Sequence, residues 1–210
     1  MNKKVWTLIA LLVCALVAAV PRAAADTATY DLTIANAAIN TAGYPDGTLF
    51  ATVTLTLNGN AIDVEVKSNP DFAIGRVSSF GFNVVGSTAG LNVGNLTSGF
   101  TFNSGGANNV SEFGNFQFTI DGSGSTSTTD LTFTVTRTGG FSSVSQLYSP
   151  NSDGYAFESH VLVLDSSGNI VTTGYVGNGP VTPEPASLAL FGSGLVALGG
   201  VLRRRKKLAA

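Results

Sequence analysis

The stretch Thr52-Val-Thr-Leu-Thr-Leu-Asn-Gly-Asn-Ala-Ile-Asp-Val-Glu-Val-Lys67 alternates between apolar and polar residues on both sides of a central Asn58-Gly59-Asn60 turn. Threonine fills the polar positions of the first half, and Asp63, Glu65 and Lys67 fill those of the second. A period of two residues is that of a β-strand with one buried face and one solvated face. An Asn-Gly pair between two such runs is the strongest short-range signal for a hairpin. The stretch therefore predicts two adjacent antiparallel strands.

The same alternation recurs on both sides of this hairpin, without helical periodicity. The further runs span residues 30–34, 80–84, 100–102, 116–120, 131–135, 160–164 and 169–176. The last two flank Asp165-Ser-Ser-Gly168, which predicts a second hairpin. About eight to ten short strands, each with one solvated face, predict an all-β fold. The predicted architecture is an antiparallel β-sandwich that is jelly-roll-like or immunoglobulin-like. A closed barrel is the alternative.

Charge is distributed unevenly along the chain. The sequence has 11 basic and 13 acidic residues, but all the acidic ones lie between Asp26 and Glu184. That part contains only three basic residues, Lys67, Arg76 and Arg137, so its net charge is −10. Nucleic acid is excluded as a partner, because a phosphate backbone attracts the opposite charge.

Cysteine and histidine are nearly absent. Cys14 lies in an N-terminal apolar segment, so residues 26–180 contain no cysteine and no disulfide, and their core is held by burial alone. His160 is the only histidine, which rules out a Cys/His or multi-His zinc site. We expect no catalytic residue, no cofactor and no metal.

The first 25 residues have the pattern of a secretory signal peptide. Lys3 and Lys4 precede an apolar core at residues 5–20, and small residues from Ala23 to Ala25 follow it. Signal peptidase requires small side chains at its cleavage site, so Ala23 and Ala25 are the predicted cleavage residues. Cleavage there leaves Asp26 as the new N-terminus, and residues 26–180 form the exported domain.

The C-terminal end combines three features in a fixed order. Pro183-Glu184-Pro185 is followed by an uncharged apolar segment at 186–202 and then by a basic tail, Arg203, Arg204, Arg205, Lys206 and Lys207. An α-helix over 186–202 just reaches the length needed to cross a bilayer. The basic tail favours the cytoplasmic side, which places the exported domain outside.

These three features together resemble a PEP-CTERM sorting signal, over residues 181–207 only. Such signals mark exported bacterial proteins for exosortase, an integral membrane enzyme that resembles a cysteine-dependent sortase. The resemblance implies that Pro183, Glu184 and Pro185 are recognised by exosortase at the inner membrane, and that the chain then reaches the cell surface or is secreted. It also implies an association with exopolysaccharide and biofilm.

The role of residues 26–180 is open to three hypotheses. The first is a non-enzymatic protein of the cell surface or extracellular matrix. The second is a carbohydrate-binding module that contacts sugar rings through Tyr44, Tyr148 and Tyr155, which lie in loop-like sequence. The third is a glycan hydrolase built on paired carboxylates, with Asp63 and Glu65 on one strand face and Glu112 or Glu158 converging on them.

Overall fold

The structure is a computed structural model that describes residues 26–106 and 108–179. The predicted signal peptide with the predicted cleavage residues Ala23 and Ala25 lies outside the described residues, as does the predicted sorting segment at 181–207. Within the described ranges no helix is both long and apolar enough to span a membrane. The division of the chain into three segments stays a prediction.

Strands dominate the described part of the chain. They are β1 (Thr27–Leu32), β2 (Ile34–Ala35), β3 (Ala51–Asn58), β4 (Ala61–Ser68), β5 (Phe72–Gly75), β6 (Phe80–Phe82), β7 (Asn92–Gly94), β8 (Phe100–Asn103), β9 (Asn108–Asn109), β10 (Asn115–Phe116), β11 (Phe118–Gly122), β12 (Ser127–Thr128), β13 (Asp130–Thr136), β14 (Phe157–Leu164) and β15 (Ile170–Gly177). One short helix, α1 (Ala37–Thr41), and two 3-10 helices, Ser111–Phe113 and Val144–Leu147, accompany them in these ranges.

Sheet A consists of five antiparallel strands in the order β1-β3-β4-β13-β7. The hairpin of β3 and β4 lies inside this sheet, with Leu55 opposite Val64 and Asn58 opposite Ala61. Leu55 and Val64 are buried in the core, whereas the alternate residues of both strands are partly exposed. The hairpin predicted from the sequence is confirmed.

Sheet B has eight strands and is organised around β14. The partner on one edge of β14 is β15, which confirms the second predicted hairpin, and β2 continues the sheet beyond it. Both β5 and β6 pair with β14, end to end, because residues 76–79 interrupt them. Beyond them lie β12, β11 and β8. In the interruption Arg76 and Ser78 have positive φ angles, 69° and 50°.

The core lies between the inner faces of the two sheets. Phe80 on β6 packs within 6.1 Å of Phe82, 5.9 Å of Phe133 and 5.7 Å of Phe157, measured between ring centroids. Phe133 belongs to sheet A and the other three belong to sheet B, so these rings join the sheets. The fold is an antiparallel β-sandwich, as predicted, and the two sheets share no strand in the described ranges.

The sequence pattern is wrong about one run, residues 116–120, which it reads as a single strand face. Phe118 and Ile120 lie in the main core, but Phe116 belongs to a separate cluster with Val110 and Phe113. The break lies at Gln117, whose N–H donates to Asn83 Oδ1 at 2.8 Å while its Oε1 accepts from Val84 N. These side-chain hydrogen bonds take the place of backbone hydrogen bonds between neighbouring strands at Gln117. Phe116, on the other side of this break, packs on the outer face of sheet B.

Two glycines in open turns provide a matched test of the first hairpin. An added Cβ would meet nothing within 4 Å at either Gly59 or Gly124, but only Gly59 has a left-handed φ, +63°. We expect Gly59→Ala to lower the free energy of unfolding by about 1–2 kcal/mol, the cost of an L-residue in that region. Gly124→Ala should be neutral or stabilising by up to about 1 kcal/mol. Urea unfolding measures both, and equal losses would contradict the turn geometry.

Candidate functional site

The outer face of sheet A carries an array of hydroxyl and carboxylate groups. We call this surface the threonine face, and it comprises Thr54, Thr56, Asp63, Glu65, Asn95, Thr132 and Thr134. Two rows cross the sheet, one running Thr54-Glu65-Thr132 and the other Thr56-Asp63-Thr134. Because alternate residues of a strand share a face, the polar half of the Thr52–Lys67 pattern builds this surface directly.

The threonine face encloses a shallow depression of about 380 Å³. On its floor Asp63 accepts a hydrogen bond from Thr134 Oγ1 at 2.7 Å and another from Asn58 Nδ2 at 3.1 Å. Such a surface offers donors and acceptors at strand spacing, which suits a polar, extended ligand.

The three tyrosines predicted to contact sugar pack against different aromatic neighbours. Tyr44 lies edge-on to Phe72 at 5.3 Å between centroids, Tyr148 stacks on Tyr30 at 4.8 Å, and Tyr155 lies edge-on to Phe113 at 4.8 Å. Each ring is partly buried against a hydrophobic cluster. They therefore do not form one stacking platform, and their role in sugar contact stays a prediction.

The hydrolase hypothesis requires carboxylates that converge, and the structure places the four candidates at three locations. Asp63 and Glu65 lie on the outer face of sheet A, whereas Glu158 lies on the outer face of sheet B. The Glu112 carboxylate instead accepts hydrogen bonds from Ala37 N, at 3.1 and 3.3 Å. Asp63 and Glu65 therefore share a face, as predicted, but Glu158 does not converge on them because it lies on the opposite side of the sandwich.

A second polar cluster lies on the outer face of sheet B, under residues 108–116, which we call the flap. A row crosses the sheet here in the order Gly177-Glu158-Gly81-Thr119-Asn103. The flap can lie this close to the sheet because two members of the row lack side chains. A Cβ at Gly81 would lie 3.0 Å from Phe116 Cγ, and one at Gly177 would lie 2.6 Å from Phe113 Cδ1.

Glu158 is fully buried in this row, and neither of its carboxyl oxygens has a hydrogen-bond partner. Its side chain lies over Gly81, since a Cβ there would be 2.6 Å from Glu158 Oε1. Thr119 Oγ1, two strands away in the same row, is also buried and unpartnered. An unpaired buried carboxyl group is costly, so this arrangement is unusual in a native fold.

Burial shifts the pKa values of Glu158 and of two further groups, Tyr175 and His160. Burial raises the pKa of Glu158 well above its ordinary value, and the negative charge of Asp121 raises it further. Burial also raises the pKa of Tyr175, with further contributions from Glu158 and Asp121. The pKa of His160 is lowered, first by burial and then by Arg76, against the effect of its hydrogen bond with Val77 O. The neutral forms are favoured throughout.

His160 is held in place by a hydrogen bond to the backbone and by an aromatic neighbour. Its Nδ1 lies 3.0 Å from Val77 O, and its ring packs on Tyr175 at 4.3 Å between centroids.

Asn151 and Asp153 lie in the loop before β14, where Asn151 Nδ2 donates to Phe113 O at 2.7 Å and anchors the flap. In the described ranges no three His, Cys, Asp or Glu side chains come together to hold a metal.

Comparison with known proteins identifies the C-terminal end. The family model of the PEP-CTERM protein-sorting motif matches residues 181–206, which confirms the resemblance read from Pro183-Glu184-Pro185 and the residues after it. The motif implies an exported protein that is processed at the membrane by exosortase. No curated protein and no solved structure matches the chain.

Glu158 gives a pH prediction with a definite sign. Because its folded pKa is raised, the folded chain holds this proton more tightly, and the free energy of unfolding falls as pH rises from the ordinary value of 4.5 toward the folded pKa. In metal-free buffer, Glu158→Gln should be more stable than the wild type at pH 7.5 by at least about 1 kcal/mol. The difference should vanish below about pH 4.

Thermal unfolding of the wild type and of Glu158→Gln across this pH range measures the difference between their free energies of unfolding. The titration of His160 contributes to both proteins and cancels in that difference. A constant difference at every pH would contradict the burial of an ionisable carboxyl group at this position.

Proposed function

We propose that the chain is a non-enzymatic exported protein, sorted by exosortase through the inner membrane to the cell surface or extracellular matrix, where it contributes to exopolysaccharide or biofilm structure. The observation that carries this proposal is the PEP-CTERM match at residues 181–206. Signal peptidase acts first at Ala23–Ala25, and exosortase acts at the C-terminal motif. Between the two steps the segment 186–202 anchors the chain in the inner membrane.

The charge partition supports this orientation. Five basic residues at 203–207 follow the apolar segment, and the part from Asp26 to Glu184 has a net charge of −10. Lysine and arginine next to a membrane-spanning segment are retained on the cytoplasmic side. The two prolines of the motif keep it extended and prevent a helix from running through it, which leaves Glu184 accessible at the membrane surface.

A non-enzymatic role is supported by how the candidate catalytic groups are used. Both Asp63 oxygens accept hydrogen bonds from neighbouring strand residues, Glu158 is covered by the flap, and His160 is tied to the Val77 carbonyl. A general acid or base must reach the substrate proton within hydrogen-bond distance. Each of these groups serves the fold in its present position.

Carbohydrate binding is the second candidate, and the threonine face favours it. The array of Thr54, Thr132 and Thr134 hydroxyls beside Asp63 and Glu65 offers hydrogen bonds to sugar hydroxyls at the spacing of the strands. A binding site on the threonine face differs from one built on aromatic stacking, because its specificity comes from hydrogen bonds along an extended chain. The carbohydrate is then a polysaccharide strand rather than a single sugar.

The sorting proposal is tested by changing the motif. Replacing Pro183, Glu184 and Pro185 with alanine should leave a full-length form held in the membrane, because exosortase no longer recognises it. Pro180→Ala, just before the matched segment, serves as the control and should be processed normally. Cell fractionation with immunoblotting measures size and location. If the triple variant reaches the surface at the mature size, exosortase is not the processing enzyme.

The carbohydrate proposal is tested on a polysaccharide array at moderate ionic strength. Thr54→Val and Thr132→Val keep side-chain shape but remove a hydroxyl, so each should weaken binding about fivefold, the value of one hydrogen bond. Thr101→Val, exposed on β8 of sheet B, is the matched control and should bind as the wild type does. Absence of binding to every polysaccharide would refute this candidate and leave the sorting proposal intact.

A further inference from the structure

The oxygens around Gly81 form a buried polar space that the sorting function does not use. Glu158 Oε1, Glu158 Oε2 and Thr119 Oγ1 are all buried and have no hydrogen-bond partner. Glu158 and Thr119 face each other across Gly81, because both are its direct partners in the sheet. Asp121 follows two residues after Thr119 on the same outer face of β11, and its charge acts on Glu158.

No basic side chain among the described residues makes a hydrogen bond with Glu158. Lys67 is on β4 of the opposite sheet, and the Arg137 guanidinium lies 4.2 Å from the centroid of the Phe141 ring. Arg76 lowers the pKa of His160, and its Nε is itself buried without a hydrogen-bond partner. A buried carboxylate is normally paired with a cation or coordinates a metal. No such cation is hydrogen-bonded to Glu158 in the space between Glu158 and Thr119.

We propose that Glu158, Asp121 and Thr119 form a calcium site beneath the flap. Glu158 supplies a carboxylate that can bind in a bidentate manner, Thr119 supplies Oγ1, and Asp121 supplies Oδ2, which now accepts from Asn103 Nδ2 at 3.2 Å. Water completes the coordination. The donors are all hard oxygens, which selects calcium or magnesium over the metals that prefer nitrogen or sulfur.

Calcium fits this set better than magnesium. Magnesium requires a near-ideal octahedron and loses its water reluctantly, whereas calcium accepts irregular oxygen ligands. Here the ligands come from β14 and β11, two strands that are separated by β6, so their spacing is set by the sheet. With two carboxylates, the expected dissociation constant is in the range of extracellular calcium modules, about 0.1–1 mM. An exported protein encounters calcium in its surroundings.

Binding of the ion would fasten the flap. Phe116 lies directly above Gly81, and Asn108 Oδ1 on β9 accepts from the Asn103 amide that also donates to Asp121. A cation neutralises the Glu158 carboxylate that the flap covers, so the closed flap no longer covers an uncompensated charge. Calcium thereby stabilises the exported domain, independently of how the chain is sorted.

The experiment is calorimetric titration of CaCl2 into the full-length chain, purified in detergent and freed of metal with EDTA. We expect binding of one ion per chain, a rise in melting temperature with CaCl2, and a smaller rise with MgCl2. Glu158→Gln and Thr119→Val keep the shape of the pocket and should each weaken calcium binding at least about tenfold. Asp63→Asn removes a carboxylate from the threonine face and should bind calcium as the wild type does.

The two pocket variants keep the test decisive if one of them fails to fold. A proton or buried water in place of the ion predicts no heat of binding and no change in melting temperature with CaCl2, and that result would overturn the proposal. Unchanged calcium affinity in either folded variant would also overturn it, since the ion would then bind elsewhere, for example at an acidic surface turn.

Discussion

Packing between Phe80 of sheet B and Phe133 of sheet A, at 5.9 Å between ring centroids, joins the two halves of the molecule. Residues 26–180 contain no cysteine, so no covalent bond between sheets supports this contact. The core also includes Phe82, Phe118 and Phe157 around the same rings. Aromatic rings bury large apolar areas and gain further energy from tilted packing. The sandwich therefore depends on this cluster, and the outer faces are free to carry polar groups.

Both faces of β14 are buried, which couples the core to the Glu158 pocket. Phe157 packs in the inter-sheet core, and Glu158, the next residue, points to the opposite face under the flap. Gly81 and Gly177 flank Glu158 in the sheet and let the flap approach the backbone. The same strand thus contributes to the core on one side and to an acidic, buried pocket on the other. Any change that opens the flap exposes this pocket without disturbing the aromatic core.

The sequence predicted the sandwich and the two hairpins because each rests on local patterns. Alternation and the Asn58-Gly59 turn specify strand and turn within a few residues. The threonine face follows from the same alternation, since Asp63 and Glu65 occupy the polar positions of a strand. These features needed no knowledge of distant residues.

The Glu158 pocket could not be predicted in the same way. The predicted run at residues 160–164 begins after Glu158 and says nothing about its burial, whereas the structure covers Glu158 with the flap. The covering depends on Gly81 and Gly177, which are far from Glu158 and from the flap in the sequence. Burial by a distant segment is a tertiary property, and no local sequence pattern around Glu158 distinguishes a buried carboxylate from a solvated one.

Net charge constrains what the exported domain can bind. The part from Asp26 to Glu184, with a net charge of −10, is repelled by anionic polymers, and this repulsion is strongest at low ionic strength. The threonine face also repels anionic polymers, because Asp63 and Glu65 lie among its hydroxyl groups. A neutral polysaccharide meets no such barrier, and an anionic one requires a divalent cation to shield both surfaces. In an acidic matrix, calcium therefore affects this protein in two ways, by neutralising its surface and by occupying the pocket beneath the flap.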